Sequence, residues 1–121
     1  MIHEEVAAIR DNIKGGALTE TTFLVLLSVY QPNHGYSIMK FIEQATNGRV
    51  VLGAGTLYGA INALLKKKWI APVADTDNSI NNSNKKEYII TDLGMQAAEK
   101  ELARITDLER LAARIIGGEL T

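Results

Sequence analysis

Apolar residues recur at intervals of three and four along most of the chain, and this helical spacing is absent only around residues 70–90. The spacing predicts an amphipathic N-terminal helix over residues 2–13. It also predicts a second helix that begins after Thr19 as N-cap, and a short third helix from Ile38 to Ala45. Residues 31–35 separate these last two helices and contain Pro, Asn and Gly, so they are predicted to form a turn.

A fourth helix is predicted from Thr56 to Lys67, because aliphatic residues line up on one side of that segment. The short runs from Ile70 to Ala74 and from Glu87 to Ile90 are typical of strands. They predict a two-stranded hairpin in which Pro72 favours an edge position, since proline cannot donate to a ladder. The connection between the strands, residues 75–84, is rich in Asp, Asn and Ser.

The last segment is predicted to be one long helix that begins after Thr91 and ends before Gly117. Its apolar stripe extends past the small core that three short helices can form, so another surface must cover it. We expect a homodimer in which the terminal helices pair, because burying one Leu or Ile contributes roughly 1.5–3 kcal/mol. The predicted dimer residues are Val6, Ile9, Leu102, Ile105, Leu108, Ala112 and Ile115. A monomer whose two terminal helices cover one another stays open as an alternative.

Three short helices followed by a hairpin are typical of a winged helix-turn-helix. The sequence therefore predicts a mainly α fold with a small β-hairpin, a winged helix-turn-helix that carries an N-terminal helix and a long C-terminal dimerisation helix. Residues 1–17 are assigned to the N-terminal helix, 18–91 to the winged helix and 92–121 to the C-terminal helix. All three are expected within one compact domain, as is usual for a chain of 121 residues.

Composition narrows the class of protein. The absence of cysteine excludes a disulfide framework, a thiolate zinc site and a cysteine nucleophile. Without a signal-peptide core or an apolar stretch of about 20 residues, a soluble cytoplasmic protein with no membrane contact is expected.

The net charge is −1, but residues 49–86 hold six basic and two acidic side chains. This local excess would attract a polyanion, although chance clustering of charge would look the same.

In a winged helix-turn-helix, one helix enters the major groove of DNA and the hairpin, or wing, lies along the backbone. The predicted DNA-binding side chains lie on the polar side of the fourth helix and at the base of the wing: Thr56, Tyr58, Asn62, Lys66, Lys85 and Lys86. Structural alternatives stay open. The lysines at 66–68 would also stabilise a helix C-terminus, and Tyr58 could be half-buried against the hairpin.

Three motifs, in this order and spacing, resemble the signature of the PadR family of transcriptional regulators. They are His34-Gly35-Tyr36, Gly55-Thr56-Leu57-Tyr58, and Lys85-Lys86-Glu87-Tyr88-Ile89-Ile90-Thr91 followed by Gly94. The resemblance spans about residues 18–102. It implies a winged-helix repressor, dimeric through its C-terminal helix, that leaves double-stranded operator DNA when a small-molecule effector or another signal arrives. It further implies that Thr56 and Tyr58 read the DNA and that Tyr36 lies near its backbone.

The chain departs from the family pattern at several positions. Gly53-Ala54 stands where Ser-Pro is usual, which replaces a serine N-cap by glycine at a cost of about a few tenths of a kcal/mol. Ala63 replaces a common arginine, and Trp69 stands where a glycine usually precedes the first wing strand. These changes bear on the operator sequence and on the angle between helix and wing. No aromatic residue follows Tyr88, which argues against the flat-drug site that some relatives form on the C-terminal helix.

Two other classes of function were compared with DNA binding. An enzyme is not expected, and neither is a cofactor or metal, because the chain has no phosphate loop, metal-ligand cluster or nucleophile elbow. A winged-helix module that binds another protein without DNA is the stronger alternative, since a fold does not determine function. For a small-molecule effector, the predicted ligand-binding residues are Leu18 and Trp69, in a gap between the terminal helices and the winged helix.

Overall fold

The computed structural model describes residues 16–74 and 86–119. The predicted N-terminal helix and the predicted hairpin loop, with Lys85, lie outside the described residues. The elements follow in the order α1 (Glu20–Leu27), β1 (Asn33–His34), α2 (Gly35–Ala45), α3 (Ala54–Lys66), β2 (Ile70–Pro72), β3 (Glu87–Ile90) and α4 (Asp92–Ile116). The described residues thus confirm the predicted fold class, a mainly helical winged helix with a small antiparallel sheet. Its last helix has the predicted length of 25 residues.

Two helices begin at threonine N-caps, as predicted. The hydroxyl oxygen of Thr19 accepts a hydrogen bond from the N–H of Thr22 at the start of α1, and that of Thr91 accepts one from the N–H of Gly94 at the start of α4. Each bond satisfies a backbone donor that has no partner within its helix. The N-cap of α3 is Gly53, which makes no side-chain bond, and the helix forms without one.

The C-terminus of α3 ends in a left-handed residue, Lys68, with φ of 63°. The N–H of Lys68 donates to the carbonyl of Leu65, and the N–H of Trp69 donates to the carbonyl of Leu64, at 3.0 and 3.1 Å. This pair of bonds is a Schellman motif, whose left-handed position normally favours glycine. Lys68, directly before Trp69, therefore adopts the left-handed conformation that a glycine favours.

The sheet has three strands, in the order β1-β3-β2, so the prediction of a two-stranded hairpin was incomplete. The third strand, β1, comes from the segment predicted to be only a turn, and it pairs Asn33 with Tyr88 and His34 with Glu87. On the other side of β3, β2 ends at Pro72 and not at Ala74. Pro72 lies on an edge strand, as predicted, so its missing N–H removes no bond to a further strand.

The hydrophobic core lies between the helices of the helix-turn-helix, the sheet and the first turns of α4. Its completely buried aliphatic residues come from α1, α2, α3 and β2 and from Val29, which follows α1. Ala98 of α4 packs against them. The core therefore covers only the N-terminal part of α4, and the rest of that helix extends beyond it. No helix among the described residues is both long enough and apolar enough to cross a membrane.

Candidate nucleic-acid interface

Helix α3 is strongly two-sided. Leu57, Ile61 and Leu64 are buried in the core and fix the orientation of the helix. The opposite side exposes the four side chains predicted from the sequence to contact DNA: Thr56, Tyr58, Asn62 and Lys66. The side chains of Asn62 and Lys66 have no hydrogen-bond or ion-pair partner within the described residues. This side of α3 therefore presents unpaired polar groups to solvent, as a helix in a major groove would need.

Tyr58 is half-buried, with 43% of its surface exposed. Its phenol packs on Gly35 at the start of α2, with Cζ 2.9 Å from the position that a Cβ of residue 35 would take. Tyr58 also interacts electrostatically with Tyr88 of β3. Burial raises the pKa of the Tyr88 hydroxyl above its usual value, and the proximity of Tyr58 raises it further. Tyr58 thus connects α3 to α2 while part of the residue remains accessible.

Tyr36 and Lys40 lie one turn apart on the outer side of α2. Tyr36 is 63% exposed, and the Lys40 Nζ lies 5.6 Å from the centroid of its ring, within cation–π distance. Sequence reasoning named Tyr36 but missed Lys40, which has no basic neighbour in the sequence and lies in an acidic third of the chain. The spacing of four residues was the available signal, because it places two side chains on the same face of a helix.

The base of the wing is anchored to α4 by a close backbone contact. The Thr91 hydroxyl donates to the carbonyl of Lys68 at 2.7 Å, and the Thr91 N–H donates to the carbonyl of Trp69 at 2.9 Å. A Cβ on Gly94 would collide with that Trp69 carbonyl, so only glycine permits this approach. Lys86 is exposed directly before β3, while Lys85 lies outside the described residues.

The part of α4 beyond the core exposes apolar side chains. Leu102 is 59% exposed, Leu108 53% and Ile115 48%, with Ile105 somewhat less so and Ala112 partly buried. Two further apolar residues, Leu111 and Ile116, belong to the same exposed region and were not named from the sequence. Val6 and Ile9, the other predicted dimer residues, lie outside the described residues.

A groove of about 350 Å³ lies between α1 and α4. Leu18 lines it together with apolar residues of α1, and the buried carboxylate of Glu101 forms part of its wall. Glu101 accepts hydrogen bonds from the Leu18 N–H at 3.3 Å and from Arg104 at 2.9 and 2.6 Å. Trp69 is not among the lining residues. It packs on the core, and the Lys67 Nζ lies 5.1 Å from its ring centroid. The two predicted ligand-binding residues therefore do not share this groove.

Of the two histidines, only His34 lies within the described residues, and its contacts belong to the start of α2. Its Nε2 lies 3.2 Å from the Ser37 hydroxyl, and the residue serves as N-cap of α2. Within residues 16–74 and 86–119 no group of three His, Cys, Asp or Glu side chains could hold a metal ion.

Comparison with known proteins identifies relatives of the whole arrangement. A sequence model of the transcriptional regulator PadR-like family matches residues 23–100. The structure of a PadR family transcriptional regulator from Eggerthella lenta is similar over 97% of this chain and 93% of its own, with a TM-score of 0.68 and 21% identity. A transcriptional regulator from Clostridium thermocellum matches 84% of this chain and 89% of its own, with a TM-score of 0.58 and 22% identity. No curated protein matches the sequence significantly.

Proposed function

The chain belongs to the PadR-like family of transcriptional regulators, and we propose that it acts as a homodimeric repressor that a small molecule releases from double-stranded operator DNA. Regulators of this family bind DNA and are not enzymes. The observation that carries the proposal for this chain is the two-sided α3. Its buried aliphatic side holds the helix rigidly, and its exposed polar side offers Thr56, Tyr58 and Asn62 for contact with base edges.

In the proposed complex, α3 lies in the major groove and the wing follows the backbone. Lys66 at the end of α3 and Lys85 and Lys86 at the base of the wing would contact phosphates and release counterions. Tyr36, at the start of α2, would lie beside the backbone at the groove edge. These contacts position the protein, whereas the contacts of α3 with bases select the sequence.

The proposed dimer uses the exposed apolar side of α4. A 25-residue helix that leaves Leu102, Leu108 and Ile115 about half exposed gains stability when a second copy covers them. Two-fold pairing would place two α3 helices about one DNA turn apart, roughly 34–36 Å, and would select a near-palindromic operator.

For the effector, the groove between α1 and α4 is the site that we favour. Its volume of about 350 Å³ falls within the usual range of about 300–1,000 Å³ for small-molecule sites, and its apolar wall with a few polar groups is typical of them. Because it touches α4, a bound molecule would act on the helix that holds the proposed dimer together.

Binding to DNA from upstream of the protein's own coding sequence tests the proposal. We expect binding that weakens steeply with salt, by about 10³-fold or more between 50 and 200 mM if six or more phosphates are contacted. Asn62→Ala should weaken binding at least about fivefold, since a good base contact contributes roughly 1–3 kcal/mol. Gln96→Ala, an exposed amide on α4, is the control and should bind normally.

Other results would contradict the proposal. Equal binding by the Asn62→Ala variant and the wild type would remove α3 from the interface. Failure of the wild type to bind DNA even at low salt, together with a salt-insensitive protein partner, would favour the protein-interaction module instead.

A further inference from the structure

The outer side of α2 carries a positive charge whose position is restrained by an aromatic ring. Lys40 and Tyr36 are both exposed, and the ammonium of Lys40 lies over the Tyr36 ring at 5.6 Å from its centroid. A lysine normally loses much side-chain entropy when it is fixed at one place. The contact with the ring reduces the number of orientations available to Lys40 before any partner binds.

The charge of Lys40 is also free for an anion. No carboxylate among the described residues lies within 4 Å of its Nζ. Arg49, a cation in the segment between α2 and α3, differs in this respect. Both of its terminal nitrogens contact the carboxylate of Glu20, and this contact lowers the pKa of Glu20. An aromatic ring does not cancel a positive charge as a carboxylate does, so Lys40 keeps its attraction for phosphate.

The Tyr36–Lys40 pair lies next to a contact between α2 and α3. Gly35, directly before Tyr36, is the residue on which the Tyr58 phenol packs. The start of α2 is therefore fixed against the side of α3 proposed to face DNA. Lys40 lies about 6 Å farther along α2 than Tyr36, which is the rise of four helical residues.

We propose that Lys40, oriented by the ring of Tyr36, binds a DNA phosphate next to the groove that α3 occupies. This inference rests on the proposed function and adds a second phosphate contact outside α3 and the wing. The contact would increase affinity for every DNA sequence alike, because a phosphate carries no base information. It would also steepen the slope of log affinity against log salt by about one, because one more phosphate is neutralised.

The test compares wild type with Lys40→Gln, Lys40→Arg and the control Lys100→Gln, an exposed lysine on α4. Affinity for upstream DNA and for an unrelated duplex of the same length is measured over a series of salt concentrations. For Lys40→Gln we expect a slope of log affinity against log salt that is shallower by about one, and weaker binding to both duplexes by the same factor. Lys40→Arg should restore the slope, and Lys100→Gln should leave it unchanged.

The role of the ring is tested by a double-mutant cycle. If Tyr36 orients Lys40, Tyr36→Leu and Lys40→Gln together should weaken binding by less than the product of their separate effects. Multiplicative effects would overturn the positioning role of the ring.

The outcomes separate this inference from the proposed function. A wild-type slope in Lys40→Gln, with wild-type protein still binding DNA, overturns the phosphate contact alone. Loss for upstream DNA but not for the unrelated duplex also overturns it, because the contact would then depend on sequence. Absence of DNA binding by the wild type overturns both.

Discussion

The phenol of Tyr58 occupies the space that any side chain at Gly35 would need. The Tyr58 Cζ lies 2.9 Å from the position of a Cβ on residue 35, and the hydroxyl oxygen lies closer still. One contact between α2 and α3 therefore links the His-Gly-Tyr and Gly-Thr-Leu-Tyr motifs, which are separated in sequence. The glycine of the first motif is required by the tyrosine of the second.

Gly35→Ala is expected to destabilise the protein by about 1–3 kcal/mol, the usual cost of forcing atoms into a filled site. Tyr58→Phe should recover part of this loss in the double variant, because it removes the atom nearest the added methyl. Urea unfolding measures both free energies. Gly59→Ala is the control: a Cβ there meets nothing within 4 Å, so alanine should stabilise α3 by about 0.5–1 kcal/mol. Equal stability of the two single variants would refute the packing argument.

Lys68→Gly is expected to stabilise the protein by up to about 1 kcal/mol. Lys68 has a φ of 63°, and a residue with a Cβ pays for the left-handed conformation that glycine adopts readily. The neighbouring Lys67→Gly, at an ordinary helical φ of −78°, should instead destabilise by roughly 0.5–1 kcal/mol. Thermal unfolding of the two variants gives the comparison, and a loss of stability in Lys68→Gly would show that its side chain stabilises the turn in another way.

Glu101→Leu is expected to cost about 1–3 kcal/mol. Glu101 is only 2% exposed and accepts hydrogen bonds from Arg104 and from the Leu18 N–H, so its loss leaves the buried Leu18 N–H without a partner. Glu99→Leu, at an exposed position on the same helix, should change stability by less than about 0.5 kcal/mol. Chemical denaturation measures the free energy of unfolding of both variants. Similar values for the two would mean that the buried carboxylate contributes nothing to holding α1 against α4.

Leu108→Gln is expected to weaken the proposed dimer by roughly tenfold or more. Two-fold symmetry removes the apolar side chain from both copies, and each buried Leu contributes roughly 1.5–3 kcal/mol. Sedimentation equilibrium measures the dissociation constant, with Glu109→Gln as the neighbouring control. A wild-type protein that is monomeric at every concentration would contradict the dimer itself.

Features of this fold that depend on residues close together in the sequence were predictable. The helix starts at Thr19 and Thr91 were predictable because an N-cap bond joins residues three apart. The buried side of α3 was predictable because its spacing is periodic.

Features that depend on distant contacts were not predictable in this way. Strand β1 has two residues, too few for a periodic pattern, and it exists because β3 pairs with it from far along the chain. The burial of Glu101 likewise depends on where Leu18 lies. The left-handed Lys68 was missed because nothing in a run of lysines indicates which one ends a helix.

Site-directed cleavage of DNA tests the central claim, that the polar side of α3 faces a duplex, most directly. The chain contains no cysteine, so Asn62→Cys can be labelled at a single site with an iron–EDTA reagent that cuts nearby DNA. We expect strong cuts in two half-sites centred roughly 34–36 Å apart, and weak or no cuts from Glu109→Cys labelled in the same way. Bound DNA that is left intact by the labelled Asn62→Cys protein, or that is cut equally by both, would contradict it.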